Sequence, residues 1–174
     1  MTSDPLGAPP ESRPLPHVLE LGTASGIAAG LVYLIAASVI TRLVGGPLSS
    51  PLRLPAAVVF GPAALGGYFP VWRAIFAGVG TDLALSAFLG VAWVIILGRL
   101  GWLGAGPIKL APFGAAYGLL IWLVGDVLLG ALAFPQVAVA DLLWGGLVAH
   151  ALFFGGALAA AVLLLRSNER DSPP

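Results

Sequence analysis

The stretch Val71–Leu97, VWRAIFAGVGTDLALSAFLGVAWVIIL, decides the fold because it is long and apolar enough to cross a lipid bilayer. A transmembrane helix needs about 20 mostly apolar residues. Apart from Arg73 near its start, the stretch carries one charged residue, Asp82. A charge inside hydrocarbon costs about 2.5 kcal/mol or more, so such a residue ordinarily faces the interior of a helix bundle and marks a candidate functional site.

Three further stretches have the same character, and together the four predict an all-α fold, an integral membrane four-helix transmembrane bundle over residues 18–166. Backbone groups in lipid must be hydrogen-bonded within the segment, which favours helices. Residues 1–17 are expected to form a disordered tail rich in proline and serine, and residues 167–174 a polar C-terminal tail. The predicted spans run over about 18–44, 71–97, 111–134 and 142–165.

The composition excludes several classes of protein. The chain has 174 residues, of which 59% are hydrophobic and 9% charged, with a mean hydropathy of +0.99; soluble domains have about 25% charged residues. The net charge is zero and no basic block is present, so nucleic acid is excluded as a partner. Without cysteine, disulfides, thiolate metal sites and cysteine catalysis are excluded as well.

The connection between the first two predicted spans, Gly45–Pro70, is the longest and contains five prolines. Its apolar run Ala56–Gly61 is compatible with a short interfacial or re-entrant helix. Two alternatives stay open at this point: an irregular loop outside the membrane, and a proline-rich linker on the bilayer surface.

The distribution of basic residues predicts the orientation, since cytoplasmic loops are enriched in lysine and arginine. One side of the predicted bundle carries five basic residues and the other three. This favours a multi-pass protein of the cell membrane with both termini in the cytoplasm. The five are Arg13, Arg99, Lys109, Arg166 and Arg170, and the three are Arg42, Arg53 and Arg73.

Small residues recur at helical spacing in each predicted span. Positions four apart lie on one helix face, and glycine there lets helix backbones approach closely in lipid. In the second and third spans the stripe itself contains an acid, which predicts that Asp82 and Asp126 point to where helices meet. The glycines expected to pack helices together are Gly22, Gly26, Gly30, Gly78, Gly90, Gly114, Gly118, Gly130 and Gly146.

Three ionisable residues, Asp82, Asp126 and His150, are predicted to form one intramembrane polar site. With a rise of about 1.5 Å per residue, Asp82 lies roughly 16 Å below the outer surface, and Asp126 and His150 lie at roughly 12 Å. The three are therefore expected at similar depth, in the outer half of the bilayer. Ser86 and Thr81 are expected to support them by hydrogen bonds.

The chemistry of this cluster has three interpretations. His150 bonded to one carboxylate, with the other acid neutral, would be purely structural. Carboxylate and imidazole groups in membranes also serve as proton relays, which would make the site proton- or ion-responsive. Two carboxylates and an imidazole could also hold a metal, although no diagnostic ligand spacing is present.

Two functions follow from these interpretations. The first is a small polytopic membrane protein acting in transport or in a proton or ion response through Asp82, Asp126 and His150. The second is a non-catalytic structural or accessory subunit that packs against other transmembrane helices. The lipid bilayer is an expected partner, with a homo-oligomer or another membrane subunit as open alternatives. No catalytic motif or cofactor motif is present, so we expect neither an enzyme nor a cofactor.

Three short blocks carry a resemblance: Ala77–Ser86 followed by Gly90, Ala116–Leu123, and His150 with Phe153-Phe154-Gly155-Gly156 after it. On these blocks the chain resembles uncharacterised small bacterial integral membrane proteins with four spans. The resemblance implies a four-helix membrane fold and no established activity. Proteins of this group often carry histidine where this chain has Asp82, which weakens the transfer of a two-histidine site.

Overall fold

The computed structural model describes residues 14–133 and 144–171, and this part of the chain is helical without any β-strand. Four helices are long and apolar enough to cross a membrane: Leu15–Leu43, Val71–Arg99, Pro107–Ala133 and Gly145–Ser167. The predicted all-α class is therefore confirmed. We refer to Pro107–Ala133 as the third span and to Gly145–Ser167 as the fourth span.

Two of the spans are uninterrupted α-helices, whereas the other two each contain a π-helical segment. The elements are α1 (Leu15–Leu43), α2 (Ser50–Phe60), a 3₁₀ turn (Gly61–Leu65), α3 (Val71–Arg99), α4 (Pro107–Trp122), π1 (Leu123–Leu129), α5 (Gly130–Ala133), α6 (Trp144–Val148), π2 (Ala149–Gly155) and α7 (Gly156–Asp171).

The two uninterrupted helices end in the same way, at a glycine with a positive φ angle. After α1, Gly45 has φ of 88°, and the backbone N–H groups of Gly45 and Gly46 donate to the carbonyls of Arg42 and Thr41. After α3, Gly101 has φ of 64° and the N–H of the next residue reaches back to Leu97. This is the Schellman arrangement, in which glycine tolerates the left-handed conformation and the last carbonyls are satisfied.

The ends of the bundle differ from the predicted boundaries. Helix α1 begins at Leu15 rather than near Val18, and the nearby Pro16 suits a first helical turn because its missing N–H would have no intrahelical partner there. Helix α7 continues to Asp171, so residues 167–171 of the polar C-terminal segment extend the helix. The predicted disorder of the N-terminal tail falls mostly on residues 1–13, outside the described residues.

The connection between α1 and α3 is neither an irregular loop nor an extended linker, because it folds into α2 and the 3₁₀ turn. The Arg53 guanidinium fixes this unit by donating from Nη1 to the carbonyls of Ala64 and Gly66, both at 2.9 Å. Helix α2 lies against α3 so closely that a methyl group on Gly78 would collide with the Leu52 carbonyl. The short helix was one of the open alternatives, and the structure selects it.

The helices are arranged so that α1 packs against both α3 and the fourth span, while α4 packs against the fourth span. Helices α3 and α4 meet through side chains. At one end Trp93 stacks on Phe113 and contacts Tyr117, each with ring centroids 5.0 Å apart, and Trp102 meets Phe113 edge to face at 5.1 Å. We call Trp93, Trp102, Phe113 and Tyr117 the aromatic end of the bundle.

Candidate functional site

A cavity of about 570 Å³ lies between α3 and the third span, beyond the aromatic end. Three elements besides these two helices contribute to its wall: α1, α2 and π2. The wall is mostly apolar, and the three residues singled out from the sequence, Asp82, Asp126 and His150, all line it. Pockets that bind small molecules have this combination of apolar walls and a few polar groups, at volumes of about 300–1,000 Å³.

Asp126 and His150 each lie in a π-helical segment, Asp126 in π1 and His150 in π2. A π-helix hydrogen-bonds from i to i+5 and is rare, and single turns of it within α-helices are frequent at functional sites. The extra residue per turn shifts the face on which later side chains lie. Asp126 and His150 therefore both lie on backbone that departs from the regular α-helix, in which residues four apart share one face.

The His150 and Asp126 side chains face each other, with Nε2 3.4 Å from Oδ2. The other ring nitrogen, Nδ1, lies 2.8 Å from the Gly146 carbonyl oxygen. Because a carbonyl can only accept, Nδ1 carries a hydrogen and donates it. Nε2 then faces the Asp126 carboxylate and can hold a proton or release it, which is the arrangement of a proton-exchanging pair.

The imidazole of His150 is held between other groups as well as by its hydrogen bond. The Tyr33 ring from α1 lies with its centroid 4.5 Å from the His150 ring centroid, tilted by 51°. The same tyrosine meets Phe154 edge to face, with centroids 6.4 Å apart. His150 is only 8% exposed, so the ring is fixed in orientation while its Nε2 edge faces Asp126.

Asp82 stands on the α3 wall of the cavity. The Ser86 hydroxyl lies beside its carboxyl group, one helical turn further on, and Ser86 itself is 3% exposed. One carboxyl oxygen, Oδ2, is buried without a hydrogen-bond partner in the described part of the chain. Gly30 of α1 leaves the room for this arrangement, because a methyl group there would press on Ser86 and approach Asp82 Oδ2.

The three ionisable residues share one cavity, but they do not form one tight cluster. Among the described residues, no group of three His, Asp or Glu side chains is placed to hold a metal ion. In this arrangement Asp126 pairs with His150, while Asp82 lies beside Ser86. Thr81 is half-buried and is not among the described residues that line the cavity.

The glycines of α1 and α3 bring these two helices into backbone contact beside Asp82. A methyl group on Gly26 would collide with the Ser86 carbonyl, and one on Gly90 with the Gly22 carbonyl. The Gly22 position is blocked in turn by the backbone of Val91. The seam positions α1 against the α3 turn that carries Ser86.

A second glycine seam joins α4 to the fourth span and supports His150. A methyl group on Gly118 would collide with the His150 carbonyl, and Gly114 and Gly155 block each other's positions in the same way. Gly146 is buried and supplies the carbonyl that accepts from Nδ1. Gly130 is buried and lines the cavity.

Sequence reasoning missed two tyrosines and the lining by α2. Tyr33 falls three residues after Gly30, on the glycine face of α1, and that position was a usable signal. Tyr117 lies beside Gly118 and donates from its hydroxyl to the Leu89 carbonyl at 2.9 Å, which bridges α4 to α3. No feature of the sequence indicated that Pro51, Leu54, Pro55 and Val58 of α2 line the cavity.

Known proteins give no guide to the function of this site. No family model, no curated protein and no solved structure matches the chain. The resemblance to small bacterial four-span membrane proteins therefore stays a prediction.

Proposed function

We propose that the chain is a multi-pass protein of the cell membrane, a four-helix transmembrane bundle with both termini in the cytoplasm, and that it acts as a small proton-responsive transport protein. The cavity would hold the transported solute, and Asp82 together with the Asp126–His150 pair would exchange protons as the solute binds and leaves. The resemblance to bacterial four-span membrane proteins is in keeping with this proposal but adds no activity to it.

Membrane insertion is supported by where the apolar side chains lie. The four span-length helices expose large hydrophobic residues on their outer faces, including Ile35 at 66%, Phe76 at 75% and Leu132 at 75%. Water-soluble proteins rarely expose apolar surface on this scale. Lipid chains would cover these side chains at no cost, whereas Gly and Ala fill the contacts between helices, as in membrane bundles.

The observation that carries the proton response is the contact between Asp126 and His150 within an otherwise apolar cavity. Imidazole is the side chain whose charge ordinarily changes between about pH 5 and 8. Removing the proton from this pair leaves a carboxylate without its cation, and in an apolar wall that change is costly unless another cation enters. Proton loss and solute binding would thereby be coupled.

The two ends of the cavity suit a transport protein that is closed on one side. Trp93, which is fully buried, and its aromatic neighbours close the bundle toward the α3–α4 connection, which is the cytoplasmic side in the proposed orientation. The cavity begins beside these rings, since Tyr117 also lines it. In this conformation the site would be shielded from the cytoplasm, and release would require Trp93, Phe113 and Tyr117 to separate.

Proton exchange is tested by reconstituting the protein in liposomes that contain a pH-sensitive dye and imposing a pH gradient. We expect protein-dependent proton movement that falls at least about tenfold in Asp126→Asn and in His150→Gln, as for the loss of a residue that transfers protons. His17→Gln is the matched control, since His17 lies at the start of α1 outside the cavity lining. Folded D126N and H150Q proteins with the flux of the wild type would contradict the proposal.

A second readout uses the fact that the chain has only two histidines. In nanodiscs, ¹³C-labelled histidine gives two signals, of which H17Q identifies the one from His150. We expect the chemical shift of that signal to differ between D126N and the wild-type protein, because the Asp126 carboxylate lies 3.4 Å from the imidazole Nε2. A signal that is the same in D126N and the wild type would overturn the assignment of the pair.

The alternative function, an accessory subunit, is favoured by one observation. Side chains of α3 and the third span that flank the cavity opening are strongly exposed, among them Leu85 at 52% and Phe88 at 70%. A helix of another subunit could cover them. If the folded D126N and H150Q variants leave proton movement unchanged while a second membrane protein co-purifies in fixed ratio, this function replaces the first.

A further inference from the structure

The ionisable side chains that line the cavity indicate which ligand it binds. We infer that this ligand is a lipophilic monovalent organic cation, an inference that rests on the proposed transport function. The cation would enter from the lipid between α3 and the third span and lie with its charge beside Asp82. The apolar body would contact the wall formed by α2, α3 and α4.

The charge balance of the lining gives the sign and the number of charges. Asp82, Asp126 and His150 are the carboxyl and imidazole groups of the described lining, and neither lysine nor arginine contributes to it. Arg53 of α2, the basic residue nearest in sequence to the lining, turns toward Ala64 and Gly66. With Asp126 neutralised by His150, one negative charge remains on Asp82, and one monovalent cation balances it.

The environment of Asp82 explains why a ligand, and not another side chain, supplies the cation. Its Oδ2 atom is buried without a hydrogen-bond partner among the described residues. A buried carboxylate without a cationic partner is costly and takes up either a proton or a cation. Metal ions fit poorly, since the carboxylates of residues 14–133 and 144–171 do not gather into a ligand group.

The groups that face Asp82 across the cavity determine how a proton and a cation compete for its carboxylate. Helix α1 contributes Tyr33, the third span Tyr117 and Asp126, and π2 contributes His150; α2 contributes apolar groups. None of these is a fixed positive charge, so the Asp82 carboxylate is free to exchange its proton for the ligand. The ligand would bind more weakly as the pH falls, because protonation removes the negative charge.

The route of entry follows from the exposure of the cavity rim. Leu85 and Phe88 of α3 and Leu120 of α4 line the cavity and are each more than half exposed on the outer face. The opening is therefore apolar and lies on the lateral face of the bundle that lipid would cover. A lipophilic cation concentrates in a bilayer and reaches such an opening directly, whereas a strongly hydrated cation does not.

Tetraphenylphosphonium and tetraphenylborate test the proposal, because the two ions have the same shape and opposite charge. Binding is measured by equilibrium dialysis against protein in nanodiscs, with empty nanodiscs correcting for partition into lipid. We expect saturable binding of tetraphenylphosphonium only, weakened at least about tenfold by Asp82→Asn, since a charge pair at partly buried sites is worth more than 1.4 kcal/mol. Glu20→Gln, which removes an exposed carboxylate of α1, should bind like the wild type.

The wild-type protein alone keeps the proposal testable if the D82N protein does not fold. Its affinity for tetraphenylphosphonium should fall as the pH is lowered, and binding should release protons into unbuffered solution. Equal binding of both ions, an affinity independent of pH, or a folded D82N variant with unchanged affinity would each overturn the inference. Proton movement through the Asp126–His150 pair is measured without the cation, so failure of the inference would be distinguishable from failure of the proposed function.

Discussion

Helix α3 and the third span are closely packed at one end of their shared face and are separated by a cavity at the other. At the aromatic end, stacked rings and fully buried Leu97 and Leu110 fill the space. Further along, the same helices separate around a cavity with Asp82 on one wall and Asp126 on the other. The bundle thus concentrates its close packing at one end and leaves room for polar chemistry at the other.

The position of the cavity follows from where α3 and α4 carry large aromatic side chains. Large rings at Trp93 and Phe113 hold α3 and α4 in side-chain contact, whereas the glycine seams bind these helices to α1 and to the fourth span. No glycine seam joins α3 to α4 among the described residues. The space between them is therefore closed only where an aromatic side chain reaches across.

The largest effect is expected from Trp93→Ala, which removes the centre of the aromatic end. Trp93 is fully buried and contacts both Phe113 and Tyr117. Truncating a fully packed tryptophan costs about 3 kcal/mol or more, measurable as a lower unfolding temperature in detergent. Trp72→Ala is the control, because Trp72 is 60% exposed. Equal losses in both variants would show that the aromatic end does not close the bundle.

Gly118→Ala is expected to have the next largest effect, and it acts at the cavity. The added methyl group would collide with the His150 carbonyl in π2, and overpacking of this kind costs about 1–3 kcal/mol. Gly80→Ala is the matched control, since a methyl group there meets nothing within 4 Å. We expect lower thermal stability and a shifted His150 NMR signal in G118A only. An unshifted signal would mean that the seam does not position His150.

The four apolar spans could be predicted from the sequence because hydropathy and length report directly on helices of this kind. Asp82 and Asp126 were placed on glycine faces by four-residue spacing, and the structure has both acids lining one cavity. The two π-helical segments could not be anticipated, because spacing assumes a regular α-helix and an extra residue per turn leaves no sequence signature. The separation of Asp82 from the Asp126–His150 pair depends on side-chain directions that depth arithmetic omits.

The smallest effect is expected from Tyr117→Phe, which tests the boundary between the two regions. The Tyr117 hydroxyl donates to the Leu89 carbonyl at 2.9 Å, the last polar bridge between α4 and α3 before the cavity opens. Its loss should cost about 1 kcal/mol, the usual net value of a hydrogen bond, since the ring contact with Trp93 is retained. Tyr68→Phe is the control because Tyr68 is fully exposed.

The same variant also distinguishes whether Tyr117 only packs α4 against α3 or also controls release of the ligand. If the bridge holds α3 and α4 together, then its removal should increase the rate at which tetraphenylphosphonium dissociates, while the affinity of the Asp82 carboxylate for the cation changes little. The dissociation rate is measured by dilution of the loaded nanodiscs. A slower or unchanged rate in Y117F, with stability reduced as expected, would restrict Tyr117 to packing and would leave the aromatic rings alone to set where the cavity begins.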